Sequence, residues 1–425
     1  MNIASQHRDK VEQPSYSHIF DPVQRANPFP LYHHLQENHP IHWDKKMESW
    51  IVLRYRDVLA VLNDERFSTR CLKGQTASNP ACQEQFQQLL PLFHEMVTLA
   101  CPQIRHQMRS NLGHVMVLFD KSVTAHIQSF ADHLLQTGIQ KGEMDFIQDF
   151  AYPLVARIVA ELAGLPEELS KQINIWGNSL EILMDGLPLP DSLFADAVNQ
   201  SSACVNYLQQ RFATGESHAN DRYAQAIAAC KKNAEPDETN QILIHYLLIF
   251  SAIPIVAMLI GNSLHSLIAH PDQFELLCTQ PHLLTNAFRE LLRYNSSTHT
   301  VLRLTTTDLE LAGQHIETQQ AVLLGLGAAH RDPEQFSRPD VLDITRDLTH
   351  QSERPISFGS GAHSCIGSPL TRFAVECSLK SLMRYSRLPS IEMTEWEAER
   401  VSHGMKVFRV LFSKQEERQC KKIVR

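Results

Sequence analysis

What this 425-residue chain lacks narrows it first. Its nine cysteines, at 71, 82, 101, 204, 230, 278, 365, 377 and 420, include no Cys-x-x-Cys pair. An odd, scattered set in a long chain argues against a disulfide framework and a structural zinc site, and points to a reducing cytoplasm. Met1–Pro14 has no apolar core of the kind a secretory signal needs. The one long apolar run, Tyr246–Gly261, contains Ser251 and Pro254 and falls short of the ~20 residues that span a bilayer. It reads as a buried core helix, and no membrane anchor is expected. Positive charge is not in excess either. Thirty-nine Lys and Arg stand against 47 Asp and Glu, a net charge of −8, so nucleic acid is not an expected partner. No carboxylate occurs from Thr239 through His270.

What is present suffices for a core, since 43% of residues are hydrophobic. Residues 1–15 read as a loose tail and 16–425 as a single domain without repeats or a long linker. Pro40–Trp43 and Ser49–Leu53, separated by the polar Asp44–Glu48, read as a hairpin. From Asp57 to about Leu292 helical periodicity dominates, as in Ile147, Phe150, Leu154, Ile158 and Leu162. The longest helix is expected from about Asp237 to Ala269, about 50 Å of chain that is apolar all round in its middle. After Tyr294 short strands are expected at Thr300–Leu304, Leu309–Leu311 and Ala321–Leu324. The fold class is therefore mainly α with a small β portion.

Phe358-Gly-Ser-Gly-Ala-His-Ser-Cys-Ile-Gly-Ser-Pro-Leu-Thr-Arg372 is the most informative segment. Three glycines within nine residues suit a backbone of unusual dihedrals, or close approach to a flat ligand. A cysteine just before a helix gains N–H donors that stabilise a thiolate, a ligand for a soft or redox-active metal. A tight turn with a buried thiol would give the same local pattern.

The segment resembles the heme-binding loop of the cytochrome P450 family, Phe-Gly-x-Gly-x-His-x-Cys-x-Gly, matching at Phe358, Gly359, Gly361, His363, Cys365 and Gly367. The resemblance implies the single-domain fold of that family and heme b, with Cys365 as axial thiolate ligand of the iron. It places Phe358 near the thiolate and His363 at a propionate. Other stretches resemble the family in the same order. Glu290-Leu-Leu-Arg293 is similar to its Glu-x-x-Arg helix, with Arg346 as third member of that network. Arg303 resembles a strand arginine that pairs with a propionate. Ala328-Ala-His-Arg-Asp-Pro333 is close to its Ala-Asn-Arg-Asp-Pro, with His330 as a departure. Arg105 and Arg109, one turn apart, stand where the family shows cofactor-facing His and Arg, and two guanidiniums suit a dianionic cofactor.

The resemblance also implies an acid–alcohol pair on the long central helix, which delivers protons during dioxygen activation. Anchored on Ile260-Gly261-Asn262, those positions hold Pro254 and Ile255. Ser251, on the face of Ile255, and His245 are the remaining polar candidates. Pro254 removes a helical N–H, so a kink is expected there. A monooxygenase or oxidative-coupling enzyme of a biosynthetic pathway fits, as does a peroxide-dependent oxidation, or an isomerase or dehydratase-type rearrangement. A non-catalytic recruitment domain would have no reason to keep Cys365, His363 and Arg303. The expected partners are a small hydrophobic substrate, a separate ferredoxin- or flavodoxin-type electron donor and a carrier protein. The donor would dock near Arg372, Lys380 and Arg384. Substrate contacts would come from about 70–100, about 175–200 and the stretch after Arg293, including Phe93, Met96, Leu180, Leu183, Met184, Thr298 and Val301.

Overall fold

After a 3-10 turn at Tyr16–Phe20, Pro22 and Pro30 each stand in the first turn of a helix, where a missing N–H costs no hydrogen bond. These helices are α1 (Pro22–Ala26) and α2 (Phe29–Asn38). The expected hairpin follows as β1 (Ile41–Asp44) and β2 (Ser49–Val52), antiparallel with Trp43 opposite Trp50. The structure is a computed structural model that describes residues 14–69, 79–98, 121–185, 189–213, 243, 247, 249–349, 353–385, 387–398 and 400–413.

Helix α3 (Tyr55–Asn63) and the short β3 (Phe67–Ser68) come next. A helical body follows: α4 (Pro80–Thr98), α5 (Lys121–Lys141), α6 (Tyr152–Ala163), α7 (Ser170–Asp185) and α8 (Asp191–Ala213), with β4 (Glu143–Asp145) between α5 and α6. The central α9 (Ile253–Ala269) leads into α10 (Pro271–Thr279) and α11 (Leu284–Tyr294). The expected strands then appear as β5 (Thr300–Thr305), β6 (Leu309–Leu311) and β8 (Ala321–Gly325), with β7 (Gln314–Ile316) pairing back on β6. The chain closes with α12 (Leu326–Ala329), α13 (Ser368–Tyr385) and the hairpin β9 (Ser390–Trp396) and β10 (Met405–Leu411).

The larger sheet has the order β1-β2-β8-β5-β3, in which only the β2–β8 pairing is parallel. The smaller sheet, β4-β10-β9, backs the helical body. Helix α9 carries no charged residue and runs through the principal core, in contact with α6, α7, α11, α13 and β10. Where it meets the hairpin, Gly404 presses so closely on Met258 that a Cβ would collide with that side chain.

The Glu290–Arg293 pair is a buried crosslink. Both side chains are fully buried, and the guanidinium grips the carboxylate through Nε at 2.8 Å and Nη2 at 2.7 Å. Arg346 Nε reaches the same carboxylate at 3.2 Å, and the Asp343 N–H donates to it at 3.0 Å. Arg293 also donates to the carbonyls of His330 and Pro339, tying α11 to the long irregular segment before the cysteine loop. Glu290→Gln keeps the volume but leaves a buried guanidinium without its counter-charge. A loss of about 3–5 kcal/mol is expected, read as a lower denaturant midpoint.

Candidate functional site

The loop around Cys365 is shaped by two residues that only glycine serves comfortably. Gly359 and Gly361 lie at φ of +69° and +65°. At Gly361 a Cβ would also stand 2.7 Å from Asn63 Oδ1 and 3.1 Å from the Leu62 carbonyl, so the loop is pressed onto the end of α3. The Cys365 N–H donates to the Phe358 carbonyl at 2.7 Å and the Gly359 N–H to the Ile356 carbonyl at 2.8 Å, which closes the turn. Ser360 Oγ meets Asn63 Oδ1 at 3.1 Å and accepts from Arg354 at 3.0 Å. Phe358 stacks on Phe288 of α11 at 6.5 Å and 29°. Each flank of the thiol is thus fixed by a different element.

The thiol itself is exposed, whereas Cys82, Cys204 and Cys377 are buried and Cys278 is half-buried. Burial pushes the Cys82 and Cys204 thiols up, and Cys377 to about 12, so these three stay protonated. Cys365 instead stands three residues before α13, where helix N–H groups favour an anion. Gly367 helps keep the sulfur uncovered, since a Cβ there would sit 3.7 Å from Sγ. An exposed, backbone-braced thiol on a face kept free of side-chain bulk fits the ligand of a flat metal macrocycle. Among the described residues no three His, Cys, Asp or Glu side chains gather as a cage for a bare ion.

Arg303 sits on β5 opposite Val322, largely buried, with Nη1 donating to the Leu302 carbonyl at 2.9 Å. His363 is half-buried in the loop itself, in the short 3-10 turn Gly361–His363. Arg105, Arg109 and His245 lie outside the described residues, as does the side chain of Met96. His330 has a role that its place in the sequence did not reveal. Its Nε2 accepts the Ile356 N–H at 2.8 Å, bracing the chain just before Phe358. Burial first, then Arg293 and Arg331, push its pKa down to about 3, so it remains a neutral acceptor.

The central helix is not continuous within the described residues. Ile249–Ser251 are helical, Ala252 is a turn, and α9 resumes at Ile253 with Pro254 in its first turn. Ala252 stays right-handed helical, at φ −79° and ψ −15°, so Pro254 interrupts the hydrogen-bond ladder for one residue and not the helical path. Ser251 is buried, and Ile255 is half-buried between fully packed neighbours. Pro254 and Ile255 occupy the start of α9, and neither can carry a proton. A buried carboxylate does lie nearby in the fold, but on α7. Glu181 pairs with Arg400 at 2.6 Å and accepts from Ser402 Oγ, both at the tip of the β9–β10 hairpin. Burial raises its pKa despite Arg400.

Of the expected substrate contacts, Phe93, Leu180 and Leu183 are packed into the core, while Met184, Thr298 and Val301 are only partly covered. The positive face expected on α13 is largely neutralised. Arg372 pairs with Glu376 at 2.7 Å and Arg384 with Asp132, leaving Lys380 outside these pairs. Arg372 also borders a cavity of about 540 Å³ next to the loop, lined by Phe288, Leu292, Arg354, Phe358 and Phe373.

Comparison with known proteins places these features in a wider group. The family model described as Cytochrome P450 matches residues 277–399. The chain is 29% identical to the biotin biosynthesis cytochrome P450 of Bacillus subtilis (strain 168), over 87% of this chain and 91% of that one. Among solved structures, P450BioI in complex with a hexadec-9Z-enoic acid ligated acyl carrier protein aligns at a TM-score of 0.78 and 26% identity, covering 92% of this chain and 100% of that chain. CalO2 aligns at the same TM-score and identity, over 93% and 98%.

Proposed function

Because the chain belongs to the cytochrome P450 family, and is an oxidoreductase of that heme-binding type, we propose that it oxidises a small hydrophobic substrate in a biosynthetic pathway, with Cys365 as the axial ligand. The observation that carries this reading is the glycine-shaped loop that holds an exposed thiol before α13. Heme supplies dioxygen activation, pushed by electron density from the thiolate. Everything else falls to the chain's own side chains.

The N–H groups at the start of α13 would favour the Cys365 thiolate, and Phe358 would pack near it. Arg303 and His363, joined by Arg105 and Arg109, supply positive charge and N–H donors for the propionates. On the distal side Ser251 is the hydroxyl best placed to pass a proton, and Ile255 excludes water where the family carries an alcohol. A small substrate would lie beneath α7, against Met184, Thr298 and Val301. The solved complex of P450BioI with a loaded acyl carrier protein supports a substrate presented on a carrier. A separate ferredoxin- or flavodoxin-type donor would supply electrons beside the loop. The reading includes a cytoplasmic location, supported by cysteine usage and bacterial relatives.

The ferrous–CO difference spectrum tests the cofactor assignment, and a heme-replete, folded protein without the thiolate band would overturn it. Pro254 and Ile255 favour a second reading, in which peroxide drives the oxidation, or the substrate already bears the bond to be rearranged. Turnover with peroxide but not with dioxygen and a reductase would select it. Ile255→Thr separates the two further. If dioxygen is the oxidant, the variant is expected to lose about half or less of the electrons that wild type loses to hydrogen peroxide, a change of a few tenths of a kcal/mol in partitioning. An unchanged ratio counts against any need for a hydroxyl there.

A further inference from the structure

Pro254 has no N–H to offer the Phe250 carbonyl four residues before it. In a first turn that is harmless, but helical backbone also precedes it here, so the gap falls within a nearly continuous helix. The Phe250 carbonyl faces α7. A Cβ at Gly177 would stand 2.5 Å from that oxygen and 3.3 Å from Ile253 Cβ, a space that only hydrogen fills. Trp176, beside it, lies nearly parallel to the Phe250 ring at 6.2 Å and 21°. One turn further along the same face of α7, Glu181 is bound to Arg400 and Ser402. Helix α7 is therefore seated by backbone contact on the interruption, and pinned to the hairpin just beyond it.

We propose that Gly177 is a positioning residue for the distal turn: by letting α7 rest directly on the Phe250 carbonyl, it holds the interruption at Ala252 in place and so sets where Ser251 and Ile255 stand. No flexible side chain cushions this contact. A displacement of α7 by a substrate lying against Met184 is then passed to the turn that must handle protons. The inference rests on reading Ser251–Ile255 as the distal site.

A double-mutant cycle between Gly177→Ala and Pro254→Ala in the full chain tests it. Gly177→Ala drives a methyl against a backbone oxygen, and overpacking of that kind lowers the melting temperature by about 2–6 °C. Pro254→Ala restores the helical donor and lets the Phe250 carbonyl turn back into the helix. In the double variant the penalty of Gly177→Ala is expected to fall to about half or less. In the heme-loaded protein, Gly177→Ala changes the share of electrons released as hydrogen peroxide by about twofold. The substrate-induced shift of the ferric spectrum changes with it, and both return toward wild type in the double variant. Ile175→Ser, at an exposed position on the same helix, moves neither. Strictly additive melting penalties, or wild-type leak and spectrum in Gly177→Ala, overturn the proposal. If Gly177→Ala does not fold, folding of the double variant supports it and failure of both sinks it. The melting cycle does not depend on heme, so failure of the cofactor assignment shows separately, in the wild-type ferrous–CO spectrum.

Discussion

Cys365→Ala is expected to abolish the thiolate-type ferrous–CO band and to reduce turnover to background, without unfolding the protein. The reasoning lies in how the loop is held. Gly359 and Gly361 set its path, Asn63 and Arg354 brace Ser360, and the closing hydrogen bond uses the Cys365 backbone, not its sulfur. An exposed side chain that packs little contributes little to stability, so the melting temperature of the heme-free variant stays within about 1–2 °C of wild type. Loss of the band with an intact fold identifies Cys365 as the ligand. A variant that keeps the thiolate band would require another of the nine cysteines to hold the iron.

Acid is expected to destabilise this protein well above the usual carboxylate range. His299, His330 and His403 are fully buried, and desolvation is the first cause that lowers the pKa of each. His299 and His403 stack at 4.0 Å and 15°, and Tyr32 Oη meets His299 Nδ1 at 3.1 Å, so neither ring has room for hydration. For a histidine lowered on folding, the unfolded chain binds the extra proton below pH 6.5. Stability therefore falls as the pH drops through 6.5, and continues to fall until the folded-state pKa is reached, about 3 for His330. Such a group costs about 1.4 kcal/mol per pH unit between its two pKa values, so His330 alone costs about 2 kcal/mol at pH 5, and His299 and His403 act in the same direction. Glu181 works in the opposite sense, because burial raises its pKa and the folded chain takes up that proton first. The lowered histidines, which include His42 and His265, outnumber the raised carboxyls Glu181 and Asp57. Denaturant midpoints measured between pH 7 and 5 check the slope, and His403→Phe, which keeps a ring in the stack, should make it shallower. A flat profile would mean that these imidazoles reach solvent.

The parts of the molecule legible in the sequence are those whose partners are near in the chain. The loop from Phe358 to Gly367 is contiguous, and so is the i, i+3 pair of Glu290 and Arg293. The strands after Tyr294 are short runs with turn residues between them, and they were expected within a residue or so. What escaped notice depends on distant neighbours. Glu181 meets Arg400 across 219 positions, and nothing in either segment announces the other. Gly177 looks like an ordinary helical glycine until the Phe250 carbonyl is seen against it. The pairing of Arg384 with Asp132 of α5 was hidden for the same reason. The β9–β10 hairpin is different. Ser390-Ile-Glu-Met-Thr394 alternates with period two, a strand signal.

The single parallel pairing in the larger sheet has a temporal consequence. Strand β2 has no neighbour on that side until β8, some 270 residues later, has been made. Tyr16 waits for Thr300, and Arg25 waits for the carbonyls of Arg400 and Ser402, 375 and 377 positions on. At synthesis rates of about 5–20 residues per second, that delay is about 20–75 seconds. Through it, Tyr16, Ile19, Tyr32 and Leu35, all buried in the finished fold, lack the later-made part of their cover. These side chains are thus made long before the segments that cover them, and chaperones have that interval in which to find them.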